Sequence, residues 1–566
     1  MTRPNKQVML GTDHDGQPAT TTAVERSTHL HVIGASGRGK SRFLEQLIRQ
    51  DIRQRHGLCL IDPHGELYAE VVRWCAHHGV QHRRRVHLLN PNDLDWTMGF
   101  DPLRCSDPAY LSRTIDGAVA AFAQVWGGED TSKTPLLKRC LRAIFYLLVK
   151  GDRPLSDAIS VILKDDPQGL RAELTAGIDD PIFEMVWAEL DSMSAREFRE
   201  TFSSTSNRLL EFLANPSIRR MFMAKEQALD VSSCMEQGDI ILVNLQPAVI
   251  SADNARLIGT LLTNALFNNA IRRDPRAAGR QPFYLYIDEC YQFLTEDVEA
   301  MLDQTRKFGL HVILAHQHLA QLRKYGEHVF NAVMTNTGSK VVFGGLPEGD
   351  AELMAKQVLR STFDFNRPKH LLDKPVVVGF EKVTMHHEGR ADGVAVSESS
   401  SSMTASMHGM SMGSSQMFGA DGHMASGATE SQGISEAFST GEGYSSGMAR
   451  SVVVSRGQSE SWLPILEERP TTVESEAEVL HRAILGLRSL PKRRFVLVTP
   501  YAEPRLIETP EVLPATIRPA RVQAFEHHVR SASPYLVPTA ALVAAQSIPD
   551  VVDEDEEDDP FSVPEE

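Results

Sequence analysis

The residues best suited to chemistry begin with HVIGASGRGKS, His31–Ser41, where glycines, a lysine and a hydroxyl follow a short apolar run. Gly34, Gly39, Lys40 and Ser41 meet the spacing G-x-x-x-x-G-K-[ST], with Ala35, Ser36, Gly37 and Arg38 as the loop between them. In such a loop successive backbone N–H groups point inward around a phosphate, and a Cβ at the tight positions would block the approach. The pattern implies that Lys40 reaches the β- and γ-phosphates of a nucleotide and that the Ser41 hydroxyl ligates Mg²⁺. A second constellation is FYLYIDE, Phe283–Glu289. A buried strand ending in two acids offers Asp288 to the metal shell and Glu289 to orient or deprotonate an attacking water. Gln317 ends the apolar run HVILAHQ. An amide there could read a γ-phosphate, because it both donates and accepts; the plainer alternative is a polar residue closing a strand. Arg306, in QTRKFG, is either a surface charge or an arginine finger for a neighbouring subunit's site. His64, in IDPHG, reads as a residue that shapes a loop near the nucleotide, with a direct catalytic role as the alternative.

These groups need elements to hold them. LHVI (Leu30–Ile33) supplies a strand before the loop. SRFLEQLIRQDIRQ (Ser41–Gln54) places Phe43, Leu44, Leu47, Ile48 and Ile52 on one helical face, so a helix N-terminus meets the anion. A strand at Leu58–Ile61, a helix at Leu67–His77 and the strand RVHLLN (Arg85–Asn90) follow. Strands alternating with helices predict an α/β fold with a mainly parallel sheet covered on both faces. Residues 1–104 thus form the first part of the core. Residues 105–235 carry only three-to-four-residue apolar spacing and predict an inserted all-α domain. The core resumes over 236–387 with DIILVNL, a helix from about Ser251 to Arg273, FYLYIDE, HVILAHQ and KVVFGG. Residues 388–462 are rich in Ser, Gly and Met and too poor in branched apolar residues to offset their ordering entropy, which predicts a disordered insertion. Residues 463–510 hold a helix (Glu474–Leu487) and the strand RFVLVT (Arg494–Thr499), expected to complete the core at its edge. Residues 511–566 are expected to be an extended acidic tail.

At 566 residues, 42% hydrophobic and 23% charged, the composition is that of a globular protein. The formal charge of −16 is uneven: ten acids between Asp550 and Glu566 take it there from −6, so a basic channel elsewhere is not excluded. HRRRVH (His82–His87) and IRRDPRAAGR (Ile271–Arg280) are either such a channel lining or solvated surface. The six cysteines contain no C-x-x-C pair and read as buried thiols of a reducing compartment, not as a disulfide or zinc framework. No signal peptide opens the chain, and AIFYLLV (Ala143–Val149) is too short to span a bilayer, so a cytoplasmic location is expected. Met403, Met407, Met410, Met412 and Met417 with His408 and His423 have soft-metal spacing, for which low-complexity drift is the simpler account.

HVIGASGRGKS, IDPHGE, ILVNLQPAVIS, FYLYIDE and RKFGLHVILAHQHLAQL, in this order, resemble the FtsK–HerA superfamily of DNA-pumping ATPases. The helical insertion and EFLANPSIRRMF make the chain similar to TraG/TraD-type coupling proteins of conjugation and type IV secretion. The resemblance implies a RecA-like P-loop fold, ATP and Mg²⁺ as ligands, a homo-hexameric ring, single- or double-stranded DNA as partner, and a relaxase or secretion-channel component as a further one. By it Lys40, Asp288, Glu289, Gln317 and Arg306 match the family's Walker A lysine, Walker B pair, glutamine sensor and arginine finger. One departure is that many coupling proteins carry N-terminal transmembrane helices and this chain shows none, which leaves room for a soluble motor or one recruited to the inner membrane by partners. Three functions stay open: a DNA translocase, an ATPase platform that docks a protein substrate at a channel, and a HerA-like defence or regulatory ring. Guanine specificity is not expected, because neither N-K-x-D nor T-K-x-D occurs.

Overall fold

The computed structural model describes residues 7–127, 134–277, 280–324, 326–360, 371–395, 411–418, 424–434, 449–473, 476–500 and 502–546. The central sheet is built from strands β1 (Val8–Asp13), β2 (Pro18–Thr21), β3 (Leu30–Ile33), β4 (Gly57–Asp62) and β5 (Val86–Leu89) of the first part of the chain. A short strand β6 (Trp96–Met98) stands outside it, and β7 (Ile240–Asn244), β8 (Phe283–Ile287), β9 (Leu310–His316) and β10 (Ser339–Phe343) follow the helical insertion. From the C-terminal part come β11 (Arg494–Thr499) and β12 (Ala502–Glu508). The order across the 11-stranded sheet is β2-β1-β12-β11-β10-β3-β9-β8-β4-β7-β5. From β10 to β5 every neighbouring pair is parallel, and from β10 to β2 every pair is antiparallel.

The parallel strands are mostly apolar because both faces are covered, and β8 and β9 are buried at every residue. One face packs the helices Lys40–Gln54 and Glu66–His78 through Phe43, Leu44, Leu47, Val71 and Cys75 against Leu60, Leu242 and Tyr286. The other packs Ala252–Ala270 and the insertion against Ile61, Val243, Ile287 and Leu314. The helix Lys40–Gln54 ends at Arg55, which adopts φ 66° and closes it in a left-handed turn.

Residues 105–235 are all-α among those described, with helices running from Leu111–Trp126 to Val231–Gln237, and they belong to the same compact unit as the sheet. Their core of Phe122, Phe145, Trp187, Phe202 and Phe212 is continuous with the sheet's. Arg494–Thr499 joins the sheet, but inside it and not at the edge, because β12 and the unexpected hairpin β1–β2 extend the sheet past it. Residues 511–566 are not uniformly extended either. Pro519–Ala532 is a helix that buries Phe525 and Val529, and Leu536–Pro538 pairs antiparallel with β6. Val522, Phe525 and Val529 have helical apolar spacing, a signal outweighed in composition by the acids that follow. Those acids, 550–566, lie outside the described residues.

Residues 366–479 form a second unit. Its described backbone is a four-stranded antiparallel sheet of Leu371–Ala395, Ala449–Val473, Met424–Ile434 and Ser411–Phe418, in that order. Of the tract 388–462, residues 396–410, 419–423 and 435–448 lie outside the described residues, with Met403, Met407, Met410, His408 and His423 among them.

Candidate functional site

Strand register brings the sequence motifs to one edge of the sheet. Ile33 pairs with His316, Leu314 with Ile287, and Ile287 with Ile61, so Gly34, Gln317 and Asp288 leave the sheet at one edge, β9 running two residues beyond β8, and Asp62 closes β4 at the same edge. This is the C-terminal edge of the parallel strands, where open α/β sheets place ligands.

The loop Gly34–Gly39 is shaped by close backbone approach. A Cβ on Gly34 would lie 2.4 Å from Phe343 Cβ, and Gly37 and Gly39 adopt φ +73° and +114°. The loop is braced from far along the chain: Ala35 N donates to Gly344 O at 3.2 Å and Arg493 N to Arg38 O at 3.0 Å. The Arg38 guanidinium donates to Leu490 O at 3.3 Å. Lys40 opens the following helix and donates to Gly34 O at 2.6 Å and Ala35 O at 3.3 Å. Burial lowers its pKa, and the charges of Glu289 and Asp288 oppose that shift. Ser41 is exposed and, with His64, lines a cavity of 350 Å³.

Three carboxylates crowd the adjoining strand ends. Asp288 is pushed up to about 7 by burial and by the neighbouring Asp62 and Glu289, with Lys40 pulling the other way. Glu289 holds φ 46°, ψ 50°, a left-handed conformation that costs a non-glycine residue about 1–3 kcal/mol. That conformation places Glu289 Oε1 2.7 Å from the donating Gln317 amide, while its Oε2 is buried without a hydrogen-bond partner. Gln317 is itself held by its backbone N–H, which donates to Gln321 Oε1 at 3.0 Å. Lys40, Asp288, Glu289 and Gln317 therefore form one site, with Ser41 at its rim.

Arg306 does not join them. It is exposed at the start of β9, at the opposite edge of the sheet from Gln317. A seven-residue strand separates the two, about 20 Å at roughly 3.3 Å per residue. His64 is exposed and donates its backbone N–H to Asp62 Oδ1 at 2.9 Å, a loop-shaping position.

Two features are not apparent in the motifs. Asp62 is fully buried and also accepts from Tyr68 N at 2.8 Å, so it orders the IDPHG loop while adding charge beside Asp288. It could have been found by the same sign as Asp288, an acid closing an apolar strand. His316 Nδ1 lies 3.0 Å from His318 O and its Nε2 2.6 Å from His31 Nε2. Burial pushes His316 down to about 3 and lowers His31 as well, so both rings are neutral. His31 in one strand and His316 in another, far apart in sequence, give no hint of this pair.

The family model for the type IV secretion-system coupling protein DNA-binding domain matches residues 18–361. Comparison with curated protein sequences finds no match. The solved plasmid coupling protein TrwB in complex with the non-hydrolysable GTP analogue GDPNP is 14% identical, with 92% of this chain and 98% of that chain covered and a TM-score of 0.51. The unbound monoclinic form of the bacterial conjugative coupling protein TrwBdeltaN70 is 14% identical over 91% of this chain and 92% of that one, with TM-score 0.50. Its trigonal form with sulphate is 15% identical over 92% and 93%, also at 0.50. These likenesses establish a shared RecA-like P-loop fold. No helix among the described residues is long and apolar enough to cross a membrane. With the family model spanning more than half of its length, and the phosphate loop and acidic strand end that model encloses meeting at one sheet edge, the chain belongs to the type IV secretion-system coupling protein DNA-binding domain family.

Proposed function

We propose that this chain is an ATP-hydrolysing motor that moves or delivers DNA as a homo-hexameric ring in conjugation or type IV secretion. The observation that carries the reading is the Glu289 carboxylate. One oxygen is held by Gln317 and the other is buried and unpartnered, beside the phosphate loop. A carboxylate so placed can accept a proton from water as that water attacks a phosphoryl group. Lys40 and the backbone N–H groups of Gly34–Gly39 would hold the phosphates, and the Gln317 amide would sense the γ-phosphate. The residues present also fit Mg²⁺. Asp62, Asp288 and Glu289 crowd negative charge that a hard cation relieves, and Ser41 and Asp288 offer oxygen ligands. The ion would neutralise charge on the phosphate oxygens.

Arg306 supports a ring. It is too far from its own chain's Glu289 to touch the same phosphate, so as a finger it would serve a neighbouring subunit. That TrwB has been solved with a nucleotide analogue supports a nucleotide in the equivalent loop. ATP turnover measured with and without single- and double-stranded DNA tests the proposal. Stimulation by DNA is expected. Turnover indifferent to both would refute the motor reading and favour a docking platform.

A further inference from the structure

We propose that His87, Cys234 and Asp239 form a zinc site, far from the nucleotide edge. His87 lies in β5, Cys234 in the helix Val231–Gln237, and Asp239 just before β7. Their ligand atoms lie within 4.8 Å of one another, and all three residues are buried. Two backbone features assemble them. Asp239 N donates to Cys234 O at 2.9 Å, closing the helix onto the strand, and His87 pairs with Ile241, which leaves Asp239 two residues back on the same face as His87.

The chemistry suits a borderline divalent cation. A thiol, an imidazole and a carboxylate are the ligand types zinc takes, at about 2.3 Å for sulfur and 2.0–2.2 Å for nitrogen and oxygen. A tetrahedral ion with those bonds holds its ligand atoms roughly 3.3–3.7 Å apart. His87 Nε2 and Asp239 Oδ2 are already at 3.0 Å, so closing the cluster takes about 1 Å of side-chain movement at its widest. The other His87 nitrogen, Nδ1, lies 3.4 Å from Ser533 Oγ, the outer partner that a metal-binding histidine needs to fix its ring. Electrostatics point the same way. Among the described residues Asp239 makes an ion pair with His87 only, while the nearby Arg84 guanidinium is directed to the carbonyls of His56 and Gly238. Arg84 and His87 set positive charge near this carboxylate, and a bound cation would ligate it directly. A fourth position can be filled by water, because His87, Ser533 and Tyr535 border a cavity of 530 Å³.

The test uses the full chain, stripped of metal by chelation and free of nucleotide, and titrated with zinc and cobalt(II) chlorides. One equivalent should bind, and cobalt should give a thiolate charge-transfer band that zinc abolishes. Cys234→Ser should lose the band and bind zinc at least about tenfold more weakly, while Cys105→Ser, at the half-exposed cysteine, should keep it. No saturable equivalent in the parent chain, or a band that survives Cys234→Ser, would overturn the proposal. X-ray absorption at the zinc edge of the unmodified chain does not depend on any variant folding. A shell with one sulfur among nitrogen and oxygen scatterers is expected, and a sulfur-free shell refutes the site.

Discussion

Asp288→Asn should stabilise the metal-free protein while abolishing its turnover, because the carboxylate is held where its charge is unwelcome. Burial, with Asp62 and Glu289 beside it, pushes the folded carboxyl from the ordinary aspartate value of about 3.9 up to about 7. The sign follows from the proton count. The folded state keeps this proton where the unfolded chain has lost it, so stability falls as pH rises from about 4 and levels off above 7. That difference in pKa corresponds to roughly 4 kcal/mol, and relaxation of the neighbouring carboxylates brings the expected gain to about 2–4 kcal/mol. Asn keeps the shape and retains an oxygen to accept from Glu289 N, which donates to Asp288 Oδ1 at 3.1 Å. Denaturant titrations of parent and variant in chelator, at pH 5 and pH 8, measure the difference. The variant should exceed the parent clearly at pH 8 and by about 1–2 kcal/mol less at pH 5, because the folded carboxyl gives up, only between pH 5 and 8, the proton that the unfolded chain has already lost by pH 5. Saturating Mg²⁺ with nucleotide should stabilise the parent and leave the variant little changed. A variant less stable than the parent at pH 8, or a difference independent of pH, would refute the reasoning.

Other perturbations separate the remaining roles. Glu289→Gln should bind ATP and not turn it over, whereas Lys40→Ala should lose both; nucleotide binding by fluorescence alongside phosphate release distinguishes them. Asp51→Ala should destabilise the chain by about 3–5 kcal/mol in denaturant melts, because it strands the buried Arg26 guanidinium now 2.6 Å from Asp51. With Asp51 held down to about 2 by that charge, its contribution is full above about pH 4 and is lost as pH falls through 2. Arg306→Ala should be nearly inactive alone and regain partial turnover when mixed with Lys40→Ala, since some interfaces then pair an intact loop with an intact finger; a fully active Arg306→Ala monomer would remove the finger from the mechanism.

What was legible in the sequence is what is local. Lys40 and its loop announce themselves because the glycine requirement, the lysine and the helix after it are contiguous, and Asp288–Glu289 because a strand of aromatic and branched residues ends in them. Gln317 was placed by its strand, and its bond to Glu289 follows from β8 and β9 being neighbours. What depends on long-range register was hidden. The hairpin β1–β2 is short and interrupted by Gly11 and Pro18, so nothing in its pattern says that it would cover the edge expected of β11. His87, Cys234 and Asp239 show no metal spacing because a whole helical domain separates the first from the others. The bracing of the phosphate loop by Leu490 and Arg493 is equally invisible, being a contact across some 450 residues.

The position of β9 constrains how a ring of these chains would couple one site to the next. Gln317 follows one end of the strand and Arg306 precedes the other, so the proposed γ-phosphate sensor and the proposed finger would share a single rod. That rod is pinned to β3 at both ends. At the start, His29 Nδ1 accepts from Val312 N at 3.0 Å, and its Nε2 lies 2.8 Å from Leu302 O in the helix that leads to Arg306. At the far end, the His31–His316 contact ties β9 to the strand that carries the phosphate loop. Burial brings His29 down to about 4 and His316 to about 3, so neither clasp loosens by protonation near neutral pH. Sliding β9 against β3 would break both clasps and the parallel ladder between them, leaving buried polar groups unpaired at about 1–3 kcal/mol each. Rotation of the whole subunit breaks none of them. In the proposed ring, then, Gln317 would report nucleotide state to the neighbour by turning the subunit as one body, and Arg306 would move with it.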